Sequence, residues 1–300
     1  MSLEADKQRR LVPSRPSRAT IYPMARTKNG RRIALLSGVV VVTLLAVFVW
    51  ASWNEIRARY LLWREFESLG KNGQGYREYR HNQTEIVFVA LPGGKFTMGS
   101  PESEEDRADD ELQHEVTLSP FLIAKYEVTE AEWRKVMRQN PSRPNGDPFP
   151  MQVHWGGCQN FFQKLRLSLP TEAQWEYACR AGTTGRYGGT GKLNDMGWYR
   201  ENTGASPYSG TRPVGQKQPN DFGVHDMHGN VAEWCEDWYQ RDFYKESQGA
   251  KNPLCENPSS KMRVIRGGSC YFRADLCRSA SRVGRALPLG VGLRPAWSWP

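Results

Sequence analysis

Two cysteines, Cys270 and Cys277, lie seven positions apart within the stretch GGSCYFRADLCRS, residues 267–279. Such a pair has three chemical uses. Two thiolates suit a soft monovalent metal such as copper(I). Oxidised sulfurs form staples, with each other or with distant partners, and reduced ones pack as small apolar groups. Earlier in the chain, HDMHGNVAEW (225–234) sets two carboxylates, Asp226 and Glu233, around a Gly-Asn turn that exposes main-chain carbonyls. Carboxylates mixed with carbonyls suit calcium, a hard cation that takes roughly six to eight oxygens. His225 and His228 are three apart, but Gly229 follows and no further Cys or His stands at metal spacing, so zinc is not expected.

Something must hold these groups. Residues 129–137, TEAEWRKVM, read as a helix with Thr129 as N-cap and Glu132 completing a capping box. Residues 171–180, TEAQWEYACR, repeat that signature with Thr171 and Gln174 after Pro170. Glu85–Ala90 is a short β-branched run, and LPGGKFTMGS after it reads as strand, glycine turn and strand. The acidic run 102–115, ESEEDRADDELQHE, lacks the ligand order of an EF-hand and is expected to be a solvated loop. From Ala181 onward Gly, Pro, Asn and Ser are dense, so strands there must be short. The expectation is an irregular α+β domain over 84–300, without internal repeats, with short strands and few helices. Ahead of it, Trp53, Ile56, Tyr60, Trp63, Phe66 and Leu69 recur at spacings of three and four. This predicts a stalk or packing helix ended by Gly70, within a juxtamembrane helix and linker over 54–83.

The formal charge of +9 suggests a polyanion partner until it is located. Residues 1–32 carry nine Lys or Arg against Glu4 and Asp6, leaving only +2 for the rest of the chain. A basic tail, here 1–32, followed by Ile33–Trp50, eighteen residues without a charge, predicts a transmembrane helix over 33–53 with Trp50 and Trp53 at the interface. The cationic side stays in the cytoplasm and the domain lies outside it, as for a single-pass protein of a bacterial-type inner (plasma) membrane. The alternative is secretion after signal cleavage, with a start at Met24 and small residues Val49 and Ala51 before the cut. Nucleic acid is not an expected partner. All six cysteines (Cys158, Cys179, Cys235, Cys255, Cys270, Cys277) follow the apolar run, which is compatible with disulfides on an oxidising side.

Five segments in order, LPGGKFTMGS, YEVTEAEW, LPTEAQWEYACRAGT, NDFGVHDMHGNVAEWCEDWY and RVIRGGSCYFRADLCRSASR followed by GLRPA, resemble the formylglycine-generating enzyme, or sulfatase-modifying factor, superfamily over roughly 86–296. The resemblance implies a C-type-lectin-like fold. It implies a structural calcium held by the side chains of Asp226 and Glu233 and the carbonyls of Gly229 and Val231. A second calcium site in the family uses an Asp where this chain has Ser206, so that site is expected to be weak or absent, although Tyr208 retains a carbonyl. It also implies a disulfide from Cys179 on the WEYACR helix to the last strand region, with Cys277 as partner.

Active members hold copper with two cysteines spaced C-x-x-x-x-C, the first lying three residues after the Ser of RGGS. Here Phe272 stands at that place, so Cys277 has no matching thiol, and any surviving site would need Cys277 with Cys270 or Ser269. Copper, and with it the oxidase reaction, is therefore not expected. The sulfoxide-synthase branch of the superfamily needs a His-x-x-x-His-x-Glu motif that His81, His114, His154, His225 and His228 do not supply. A third branch, which this chain also resembles, diversifies its C-terminal surface by adenine mutagenesis of a template. Residues 270–294 contain no Lys, Glu, Gln, Met or Trp, the residues such mutagenesis of AAY codons cannot produce. The corresponding ligand-binding positions are Tyr271, Phe272, Arg273, Asp275, Leu276, Val283, Arg285, Leu287 and Leu289. The reading is a binding module for an unknown protein or surface ligand. Its alternative is an oxidase that converts a sulfatase cysteine to formylglycine.

Overall fold

Residues 55–140, 146–204, 210–286 and 290–299, with Thr43, Val49, Trp50 and Trp53, are described by a computed structural model. The basic tail and most of the apolar run 33–53 lie outside the described residues, as do Ser206, Tyr208, Leu287 and Leu289. Among the described residues no helix is long and apolar enough to cross a membrane. The chain divides into a unit ending at Glu55 and a compact unit from Ile56 to Pro300, and the second is described below.

Strands β3 (Val87–Leu91, VFVAL) and β6 (Phe121–Ala124, FLIA) are short uninterrupted apolar runs, the pattern of strands covered on both faces. They pair antiparallel, Phe88 opposite Ala124 and Leu91 opposite Phe121. Because side chains alternate along a strand, Phe88, Leu122 and Ala124 enter one core while Val89, Leu91, Phe121 and Ile123 enter another. The first core is filled by Trp133 of α2 (Glu130–Val136), Phe161 of α3 (Trp155–Phe162) and Trp234 of β7 (Ala232–Trp238). The second receives Trp175 and Ala178 of α4 (Glu172–Arg180). Both expected capping boxes form, at Thr129/Glu132 and Thr171/Gln174.

Three sheets result among the described residues. The largest has the order β1-β2-β3-β6-β11, in which β1 is Phe66–Lys71, β2 is Arg77–His81 and β11 is Ala296–Ser298. The second has the order β10-β7-β8-β9, with β8 at Arg263–Arg266, β9 at Arg282–Arg285 and β10 at Val291–Gly292. The third pairs β4 (Gly94–Met98) with β5 (His114–Leu118) across the loop that carries the acidic run.

Three expectations need correction. Helix α1 (56–65) stops at Glu65, and Phe66–Lys71 turns into β1 instead of continuing helical to Gly70. Phe66 packs edge-on to Phe88 and Trp297, with centroids 5.3 and 5.7 Å away, and that burial outweighs the helical spacing. Segment 66–81 is thus a hairpin of the main sheet. Its turn is set by Asn72 Oδ1, which accepts the N–H groups of Gln74 and Tyr76 at 3.1 and 2.9 Å. Helix α3 adds to the two helices expected in the domain; His154 caps it, Nδ1 accepting the Gly157 N–H at 3.1 Å. The acidic run is not wholly solvated either, since Asp110 and Glu111 are buried.

Candidate functional site

The C-terminal segment is held by a charged lattice on α4. Arg266, at the end of β8, donates to Glu172 Oε1 at 2.8 Å, to Glu176 Oε2 at 2.6 Å and to the Ser279 carbonyl at 2.6 Å. Arg282 of β9 grips Glu172 from the other side at 2.7 and 2.8 Å. Arg278 pairs bidentately with Glu111, both bonds 2.7 Å, and reaches Glu104 at 2.8 Å. Burial pushes the Glu172 and Glu176 carboxyls up, but the adjacent guanidiniums outweigh it and hold both below the usual range. Within this frame Gly267 and Gly268 take positive φ (88° and 72°), and a Cβ on Gly268 would meet Cys277 Sγ at 2.5 Å.

Between these clamps the chain shows its side chains to solvent. Tyr271 is 46% exposed and Leu276 and Val283 are each 37% exposed. Arg273 is exposed with Asp275 3.7 Å from it, while Phe272, Asp275 and Arg285 are half-buried. Phe272, Leu276 and Val283 line a small crevice floored by Ala232, Ile265, Gly267 and Gly268. Seven of the nine expected surface positions can be placed, and these three converge. Residues that spacing did not point to support the segment from beneath. Arg200 N–H donates to the Phe272 carbonyl at 3.0 Å, Tyr187 hydroxyl to the Ala274 carbonyl at 3.0 Å and Thr203 hydroxyl to the Cys270 carbonyl at 3.2 Å. Trp198 lies nearby with Lys217 Nζ 4.2 Å and Arg212 5.5 Å from its ring, a cation–π pair. No signal in the linear sequence links 187–203 to 270–274, about seventy residues away.

All six cysteines are unpaired and buried, so the Cys179–Cys277 bridge does not form. His228 stands in its place. Nε2 accepts the Gly188 N–H at 3.0 Å, which leaves the proton on Nδ1 to be donated to the Cys277 carbonyl at 2.8 Å. Cys179 Sγ meets the same Nε2 at 3.6 Å. Burial lowers His228 to about 4, so the ring is neutral. The two thiols of the opening stretch face different surroundings. Cys270 Sγ lies where a Cβ on Gly210 would come within 2.6 Å, beside the Tyr271 ring, whereas Cys277 Sγ packs on Gly268. Burial pushes both thiols up to about 12. Ser269 Oγ accepts the Tyr271 N–H at 3.3 Å.

At the calcium motif the structure offers charge but not a ready cage. Glu233 is gripped by Arg294 at 2.6 to 3.0 Å and also accepts the Trp175 indole N–H at 2.7 Å. A salt bridge therefore already serves that carboxylate. Glu127, which spacing did not single out, joins it, accepting from Asn230 Nδ2 at 2.6 Å and Val231 N–H at 3.1 Å. Asp226 Oδ2 accepts the Gly215 N–H at 2.6 Å, but its buried Oδ1 has no partner. Three buried carboxylates thus face one guanidinium. Burial raises Asp226 to about 6, and burial with the neighbouring carboxylates pushes Glu127 well above its ordinary value. The orphaned oxygen and the excess negative charge fit a divalent cation. Among the described residues no three His, Cys, Asp or Glu side chains are arranged to hold a metal unaided, so the Gly229 and Val231 carbonyls would have to complete the set. His225 donates from Nδ1 to the Lys217 carbonyl at 2.9 Å and lies tilted against the Tyr126 ring, centroids 4.8 Å apart.

Comparison with known proteins agrees with this geometry. A family model described as "Sulfatase-modifying factor enzyme 1-like domain" matches residues 75–297. The chain is 28% identical over 237 residues to a protein of Paenibacillus barcinonensis named "Chaperone protein LppX", covering 60% of this chain and 77% of the relative. It is 28% identical over 265 residues to the "Formylglycine-generating enzyme" of Thermomonospora curvata, covering 66% of this chain and 88% of the enzyme. Among solved structures, "Treponema denticola variable protein 1" aligns with a TM-score of 0.64 at 27% identity, over 74% of this chain and 99% of that one. With most of its length matched, this chain belongs to the sulfatase-modifying factor enzyme 1-like family.

Proposed function

We propose that this protein is a membrane-anchored, extracytoplasmic binding module that displays residues 271–285 to a ligand and performs no formylglycine chemistry. One observation carries the reading. The segment has a buried half, Arg266, Arg278, Ser279 and Arg282, and an outward half in which Tyr271, Arg273, Leu276 and Val283 are exposed to solvent. Aromatic and Arg side chains beside an apolar crevice are the types that anchor binding hot spots. The likeness to a variable protein supports the same use. Phe272 stands where the family's first copper cysteine would be, which speaks against a two-thiolate copper site. Calcium is proposed as a structural ion at Asp226, Glu233 and the Gly229 and Val231 carbonyls, with Glu127 adding charge. The anchor is the uncharged run Ile33–Trp50 behind its basic tail.

Incubation of the full chain with copper and a Cys-x-Pro-x-Arg peptide tests the absence of chemistry. No aldehyde is expected, and its formation, lost in Cys277→Ser, would overturn the reading. Diversification is tested in the DNA: a neighbouring near-copy of the final hundred or so bases, differing only at adenines, is the expected finding. Absence of any repeat or reverse transcriptase nearby removes that part.

A further inference from the structure

Helix α1 has two faces with different fates. Ala58 is buried, and Leu61 and Leu62 pack against the first core, which docks the helix on the domain. The other face carries Ile56, Tyr60 and Trp63, spaced as one helical stripe and 61%, 53% and 76% exposed. Arg57, Arg59 and Arg64 flank the stripe and are exposed. The Arg64 guanidinium lies 6.0 Å from the Tyr60 ring, whose centroid is 6.1 Å from that of Trp63.

We infer that this face lies in the interface of the bilayer to which the chain is anchored, with the three apolar side chains among the upper acyl chains and Arg57 and Arg59 on lipid phosphates, Arg64 being paired with Glu65. The inference rests on the reading of Ile33–Trp50 as an anchor. Three lines single out lipid as the occupant. Ile56 follows Trp50 by six residues, so it can stand at most ~20 Å from the end of the uncharged run. A stripe of Trp, Tyr and Ile bordered by guanidiniums matches the layered chemistry of an interface, where amphipathic rings sit at headgroup level and Arg pairs bidentately with phosphate. Three side chains at roughly 150–250 Å² each also fall short of the ~800 Å² per partner typical of a stable protein interface. The consequence is orientational, because α1 is docked on the domain and its contact with lipid would fix how the domain faces the bilayer.

The test uses the full chain in vesicles of phosphatidylethanolamine and phosphatidylglycerol. Since the native cysteines are all buried, spin labels can be placed selectively at Ile56→Cys, Tyr60→Cys or Trp63→Cys, with exposed Lys245→Cys as the water-phase reference. Power saturation with oxygen and a nickel chelate reads depth. The expected result is an oxygen-to-nickel ratio at 56, 60 and 63 several-fold above that at 245. A label at 63 as nickel-accessible as 245, or one showing dipolar broadening from a second copy without lipid depth, overturns the inference. Carbonate extraction separates it from the anchor reading. A chain that resists extraction while 63 reads water defeats only the interfacial face, and one that is extracted yet reads lipid at 63 defeats only the anchor.

Discussion

Residues 266–285 contain two regions that differ in every physical respect but adjacency. Arg266, Arg278 and Arg282 are buried, each meets at least one carboxylate, and each bond is at ordinary length. Tyr271, Arg273 and Leu276 stand between the first two and Val283 follows the third, all of them exposed, with Arg273 near Asp275. The difference teaches how a fold of short strands can present a changeable surface. The backbone is held by charge pairs that do not involve the displayed side chains, as the proposed ligand-facing surface requires.

The sharpest way to break this comparison is to remove a clamp. Arg266→Met leaves Glu172 and Glu176 with one buried cation fewer, and breaking such a pair costs about 3–5 kcal/mol. Urea unfolding should show that loss, and a cost under about 1 kcal/mol would mean that the lattice does not hold the segment. Next in size is the pH response of the carboxylate cluster. In the absence of a bound cation, Asp226 has its pKa raised from 3.8 to about 6. The folded state then holds its proton more tightly than the unfolded one, so stability is lost as pH rises from about 4 to 6, by about 3 kcal/mol in all. His228, lowered from 6.5 to about 4, slopes the opposite way, gaining stability over that range as pH rises. The measurement is therefore the difference between wild type and Asp226→Asn, which removes the Asp226 contribution, relieves part of the push on its neighbour Glu127 and leaves the His228 slope in place. Calcium should raise the Tm of the wild type more at pH 7 than at pH 5 and leave Asp226→Asn unmoved; equal shifts in both proteins would refute the calcium proposal.

The smallest effect belongs to the displayed face. Tyr271→Ala and Leu276→Ala should each change stability by no more than about 0.5 kcal/mol. Losses of 2 kcal/mol or more, on the scale of about 2–5 kcal/mol for core truncations, would show that these residues pack structurally and would remove the contrast with Arg266.

Local signals in the sequence carried some of this architecture and not the rest. The two capping boxes and the successive strands β3 and β4 are local chemistry, and all of them formed. Phe66 misled because helical spacing says nothing of Phe88 and Trp297, which draw it into a strand. The double role of α4 as core and counter-ion was hidden because Glu172 and Glu176 look like ordinary surface residues of an amphipathic helix, whereas all nine of its residues are buried. At the site, Asp226 and Glu233 were identifiable from their turn, but Glu127 and Arg294 reach them from about a hundred and sixty residues apart in sequence. The disulfide was implied by the family resemblance alone, and the structure shows both thiols free, with His228 bonding beside each residue.

The account stands on the claim that Cys270 and Cys277 are packing thiols and not a copper pair. Titration of the reduced full chain with copper(I) against a competing chelator tests it most directly. The prediction is no stoichiometric site that depends on both sulfurs, with Cys270→Ser and Cys277→Ser behaving as the wild type. A single tight site abolished by either substitution would contradict it.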